Sequence, residues 1–154
     1  MKILASFPGV GKSHLATQHP ELYDIEQHEW PQLRQANPDK TVAELAVMFA
    51  DRVDSAIQKG YSVFIPAHNE VADELVRRGH EVIFVYPTRQ CKDEYIRRMA
   101  MRGTHQIAQL FAQRWDELID RALVRKYVKH VVIGAGQYLS DIVTFDADGF
   151  VVKA

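Results

Sequence analysis

Short apolar runs recur along the chain, each closed by proline, glycine or a carboxylate, and between them apolar positions fall at helical spacing. Lys2 to Phe7 stops at Pro8-Gly9, as a buried strand does. Ser13 to about Gln18 predicts a short helix ended by Pro20. Leu22 to Glu26, "LYDIE", predicts a second strand with carboxylates at its end. Residues 27–40 are polar and broken by Pro31 and Pro38, which predicts a loop or short helical insertion long enough to carry function. Thr41 and Glu44 have capping-box spacing, and Val42, Leu45, Ala46, Phe49, Val53, Ala56 and Ile57 follow at helical period as far as Gly60.

The second half repeats the pattern. "YSVFIPA" predicts a strand, Asn69 caps a helix bearing Ala72, Leu75 and Val76, and "EVIFVYP" predicts a strand stopped by Pro87. Thr88 caps "RQCKDEYIRRMAM", Gly103 interrupts it, and Thr104 opens a long helix with Ile107, Leu110, Phe111, Leu118, Ile119 and Ala122 on one side. "HVVIGAG" predicts a fifth strand. "DADG", between Val143–Phe145 and Phe150–Val152, predicts a terminal hairpin. This alternation predicts an α/β fold, a three-layer sandwich around one parallel sheet of about five strands.

Composition adds bounds. The 154 residues hold no repeat or linker and are expected to form one domain. A hydrophobic fraction of 47% and a charged fraction of 25% are those of a globular protein. A formal net charge of −1 gives no general attraction to nucleic acid or an anionic membrane. Cys91 stands alone, which excludes an internal disulfide and any multi-cysteine metal site and fits a reducing cytoplasm. The seven histidines show no metal-ligand spacing. No run approaches a membrane span, and no feature demands an obligate protein partner.

Chemistry enters at the first turn. A strand, a glycine turn, Lys-Ser and a helix together make a phosphate-binding loop, reading "SFPGVGKS" against G-x-x-x-x-G-K-[ST] with Ser6 at the first glycine. Gly9 and Gly11 let successive amides converge on an anion, and the following helix adds partial positive charge. The cofactor-binding stretch is therefore Pro8, Gly9, Val10, Gly11, Lys12, Ser13 and His14. Lys12 reaches the terminal phosphates, and Ser13 is placed to ligate Mg²⁺. The expected ligands are ATP and Mg²⁺.

On these residues the chain resembles the P-loop kinases of the nucleoside and nucleotide branch, and more loosely the short kinase-like proteins of phage and prophage genomes. The resemblance implies strand order 2-3-1-4-5, with nucleotide across the carboxyl ends of the strands. It implies that Asp24 serves as base or Mg²⁺ contact, with Glu26 second, the two sharing one side of a strand. It also implies a mobile lid over about residues 97–106, in which Arg98 and Arg102 grip phosphate and Gly103 is the hinge. The loop "GAGQYLSD" would touch adenine. Where relatives carry a Walker-B aspartate, this chain offers His68 and Asn69, as substrate contacts or as a loop residue and a helix cap. Either Asp24 organises Mg²⁺ alone, or the site binds nucleotide without fast turnover. In the insertion, Arg34 could pair with an acceptor's phosphate and Trp30 stack on a base or anchor the core.

Three functions remain open at this point: a kinase acting on a nucleotide or nucleoside, a polynucleotide-type kinase acting on a nucleic-acid hydroxyl (a chain end or a hydroxymethylated base such as 5-hydroxymethyluracil), and a nucleotide-binding switch. A metabolite kinase on the same framework is a further possibility.

Overall fold

The computed structural model describes residues 1–153, without the side chains of residues 27 and 28. Five parallel strands form the sheet in the order β2-β3-β1-β4-β5. They are β1 (Ile3–Ser6), β2 (Leu22–Asp24), β3 (Ser62–Pro66), β4 (Val82–Pro87) and β5 (Lys129–Ile133). All residues of β1 and β4 are buried. Because alternate side chains face opposite ways, that pattern requires both sheet faces to be covered. β1 is central, with Ile3 opposite Val63 on one side and Val82 on the other.

The helices between the strands are α1 (Lys12–Gln18), α2 (Ile25–His28), α3 (Trp30–Ala36), α4 (Val42–Gln58), α5 (Asn69–Arg77), α6 (Lys92–Met101), α7 (His105–Leu123) and α8 (Leu139–Ile142). A 3-10 turn, Arg89–Cys91, leads into α6. Helix α4 opens on the expected capping box: Thr41 Oγ1 accepts from the Glu44 amide at 3.2 Å, and the Glu44 carboxylate accepts from the Thr41 amide. Its apolar stripe puts Phe49 and Val53 at or near zero exposure.

Two local expectations, the end of the second strand and the role of Asn69, are corrected, and one left open, the form of residues 27–40, is resolved. The second strand ends at Asp24, because Ile25 turns inward to full burial and starts α2, so Glu26 is helical and shares no strand face with Asp24. The stretch 27–40 is largely helical, held down by buried Leu33 and by Trp30, whose ring meets Phe49 edge-on at 4.8 Å. Trp30 is therefore a core anchor. Asn69 is the first residue of α5, not its cap; His68 holds that position, and the Asn69 side chain accepts from Arg125 instead.

The terminal hairpin forms as expected, from β6 (Val143–Asp146) and β7 (Gly149–Val152). It closes the base of the sheet. The Phe150 amide donates to the Met1 carbonyl at 2.7 Å, and its ring lies 5.1 Å from Phe64. Among the described residues no helix is long and apolar enough to cross a membrane.

Candidate phosphate-binding site

Parallel strands deliver their carboxyl ends to one edge of the sheet, and there Ser6 passes into the glycine turn. Gly9 and Gly11 have φ of 88° and 96°, left-handed values that favour glycine. A Cβ would find ordinary van der Waals room at Gly9 and a tight contact at Gly11. A Cβ on Gly9 would lie 3.4 Å from the Tyr95 ring, and one on Gly11 only 3.2 Å from Tyr138. Ser6 needs no such freedom. It is the last residue of β1, paired with Pro66 and Val85 in ordinary extended geometry, so serine serves where the motif has glycine.

The carbonyls of this turn are fastened. Arg98 Nη1 donates to the Gly9 carbonyl at 2.9 Å, the Leu139 amide to Val10 at 2.8 Å, and the Leu15 amide to Gly11 at 3.2 Å. A planar trans peptide points its C=O and N–H in opposite directions, so these anchors turn the amides of Val10, Gly11 and Lys12 the other way. Among the described residues, no protein acceptor takes a hydrogen bond from any amide of residues 9–14. Gly9, Val10 and Lys12 are nevertheless buried. Amides without partners are rare inside a protein, and a run of them in such a turn offers donors that an anion could take.

Beside the turn, Lys12 is only 6% exposed, and its Nζ donates to Glu26 Oε2 while lying 3.8 Å from Asp24 Oδ1. Ser13 Oγ donates to Asp24 Oδ2 at 3.3 Å. Asp24 is 2% exposed, and its other oxygen, Oδ1, has no hydrogen-bond partner. A buried, half-satisfied carboxylate next to a serine hydroxyl supplies hard oxygen ligands of the kind Mg²⁺ takes. Among the described residues no cluster of three or more His, Cys, Asp or Glu could enclose a metal alone. A magnesium ion here would complete its shell with phosphate and water, as it commonly does.

Two clefts flank the turn. One, about 320 Å³, is lined by Gly9, Gly11, Ser13, His14, Arg98, Met101, Arg102 and Tyr138. The other, about 310 Å³, holds Lys12, Asp24 and Glu26, with Pro8, Met99, Arg102, Thr104 and Ile107 around them. Gly9, Ser13 and Arg102 belong to both.

The two arginines expected to work together have different surroundings. Arg98 is spent on structure. Besides Gly9 it donates to the Gln137 carbonyl at 3.0 Å, pairs with Glu94 at 3.0 Å, and lies between the rings of Tyr95 and Tyr138. Burial pushes the Tyr95 hydroxyl up to about 12, against the lowering effect of the Arg98 cation. Among the described residues, Arg102 reaches no carboxylate. Its Nη2 lies 3.5 Å from Ser13 Oγ, at the wall between the clefts. Residues 97–106 are the last turns of α6, the Gly103 turn (φ 78°) and the start of α7.

Other expected contacts lie elsewhere or stay at the rim. His14 is exposed on the first cleft. Arg34 opens onto a separate surface pocket with Lys40 and Pro31. His68 faces Trp30 and Glu70, and Asn69 is committed to Arg125. Sequence reasoning missed Tyr95, Glu94 and Gln137. Helical spacing offered a signal, since Glu94 and Arg98 are four apart on α6. No protein-family model matches the chain, and no curated protein matches its sequence.

Proposed function

We propose that the protein is a P-loop phosphotransferase of the kinase type, moving the γ-phosphoryl group of Mg·ATP to a hydroxyl of a nucleoside-like acceptor. The observation that carries this reading is the run of unpaired amides at residues 9–14, set around buried Lys12 with Asp24 behind it. The strand order and the turn at the carboxyl edge of the sheet also support it.

In this reading the amides of Val10 to Ser13 and the Lys12 ammonium hold the terminal phosphates, and Arg102 adds charge where the transferred group passes. Ser13 and Asp24 would hold Mg²⁺, which would neutralise phosphate charge. Glu26, on the wall of the second cleft, accepts the acceptor's proton. The acceptor oxygen then bonds to the γ-phosphorus as the bond from that phosphorus to the bridging oxygen breaks, and ADP leaves. The first cleft, walled by Tyr138 and Met101, receives the nucleoside part of ATP.

Calorimetric titration with Mg·ATP, together with release or transfer of label from γ-labelled ATP, tests the proposal. Saturable binding in the micromolar to millimolar range and acceptor-dependent turnover are expected. No heat of binding across that range sinks it.

A further inference from the structure

We infer that the acceptor is an uncharged hydroxyl compound of nucleoside or sugar size, not a phosphomonoester. This rests on the phosphotransfer reading above and narrows it. The argument is the charge of the second cleft, whose charged side chains are Lys12, Arg102, Asp24 and Glu26, two of each sign.

Mg·ATP draws on both cations. Lys12 is part of the phosphate turn, and Arg102 stands beside Ser13 at the wall between the clefts. What remains for an acceptor is two carboxylates, the Thr104 hydroxyl and the apolar surface of Pro8 and Ile107. A phosphomonoester brings about two negative charges at neutral pH and would place them beside the nucleotide's own phosphates and these carboxylates. Among the described residues, no further lysine or arginine lines this cleft. Arg98 is occupied by Gly9, Gln137 and Glu94; Arg52 lies 4.0 Å from Glu29; Arg34 faces the separate pocket of α3.

An uncharged acceptor fits the same walls. Its hydroxyls donate to Glu26, which orients the attacking oxygen and takes its proton. Thr104 Oγ1, already donating to the Met99 carbonyl at 2.6 Å, keeps lone pairs for a second hydroxyl. A ring's apolar face meets Ile107, which is 38% exposed without a ligand. At about 310 Å³ the cleft is at the small end of ligand sites, right for one nucleoside or hexose.

The test uses the full chain saturated with Mg²⁺ and a non-hydrolysable ATP analogue, titrated with nucleosides and hexoses and with the phosphomonoester of each. The uncharged members should bind at least about tenfold more tightly than their phosphorylated partners. Ile107→Arg, which adds a cation to the wall, should narrow or reverse that ratio. Phosphomonoesters binding as well as the uncharged probes to the parent protein overturn the inference, as does failure of every probe to bind. Failure of the ATP analogue itself is read in the first titration and removes the phosphotransfer reading as well.

Discussion

Arg98 and Gly9 lie 89 residues apart in the chain and are joined by a 2.9 Å hydrogen bond from guanidinium to carbonyl. The bond turns a peptide plane. With the Gly9 carbonyl held toward α6, the Val10 amide points to the opposite side, toward the proposed phosphate site. In the proposed reading Arg98 thus acts on the nucleotide through the main chain, as a positioning residue.

Arg98→Ala should therefore weaken Mg·ATP binding roughly 10- to 100-fold, since charge-assisted hydrogen bonds contribute about 1.5–3 kcal/mol. It should also lower the melting temperature of the nucleotide-free protein. A variant with unchanged melting temperature and affinity but reduced kcat would return Arg98 to the role of a phosphate clamp.

Glu26 accepts a hydrogen bond from Lys12, and in the proposed reading it competes with phosphate for that ammonium. Releasing Lys12 should help phosphate binding while removing the proton acceptor. Glu26→Gln is expected to tighten Mg·ATP about fivefold, the worth of a partly exposed ion pair, and to lower kcat roughly 100-fold. Calorimetry and steady-state kinetics read these opposite changes. Weaker binding with unaltered kcat would show that Glu26 is neither competitor nor base.

Lys12→Ala leaves Asp24, 2% exposed, without its cation. Breaking a buried pair on one side costs about 3–5 kcal/mol, so this variant should be destabilised as well as unable to hold phosphate. Adding Asp24→Asn should restore much of the stability, though not the binding. Denaturant melts of the two single variants and the double variant measure the coupling.

Gly149 has φ of +117°, and a Cβ there would lie 2.2 Å from the Met1 carbonyl oxygen. Gly149→Ala should cost roughly 2 kcal/mol or more and lower the melting temperature by about 4 °C or more. Nucleotide affinity should stay at the parent value, because the hairpin is at the end of the sheet away from the turn.

Hydrogen bonds from Arg77 and Arg78 hold the Glu74 carboxyl down from its ordinary 4.5 to about 2. A carboxyl depressed by folding adds stability that is complete above its unfolded pKa and is lost as pH falls through the folded value. Stability should thus decline between about pH 4.5 and 2 on account of Glu74. Asp54 adds to the same acid limb: burial acts to raise its carboxyl, but hydrogen bonds from Arg78 and His80 prevail and lower it. Glu74→Gln should flatten part of that limb in acid titrations, with no effect near neutrality.

The inner strands β1, β3 and β4 were legible because they are mostly apolar runs with proline at or just past their ends, a local signal. The turn at Pro8–Ser13 was legible for the same reason. The link between α6 and that turn was not. The arginines of "YIRRMAMR" read as a basic lid surface, and only tertiary packing brings Arg98 against Gly9, Tyr138 and Gln137. Glu26 shows the reverse case. The spacing of Asp24 and Glu26 suggested strand alternation. One buried isoleucine made the chain helical instead, yet both carboxylates still reach Lys12.

Gly9, Ser13 and Arg102 face both clefts, so the two compartments have a common wall. For two ligands bound there, thermodynamic linkage makes any coupling carried by Arg102 reciprocal, changing each affinity by the same factor. Dissociation constants taken one ligand at a time would describe only half of a square cycle, and its fourth corner, with both compartments filled, is where the proposed transfer would take place.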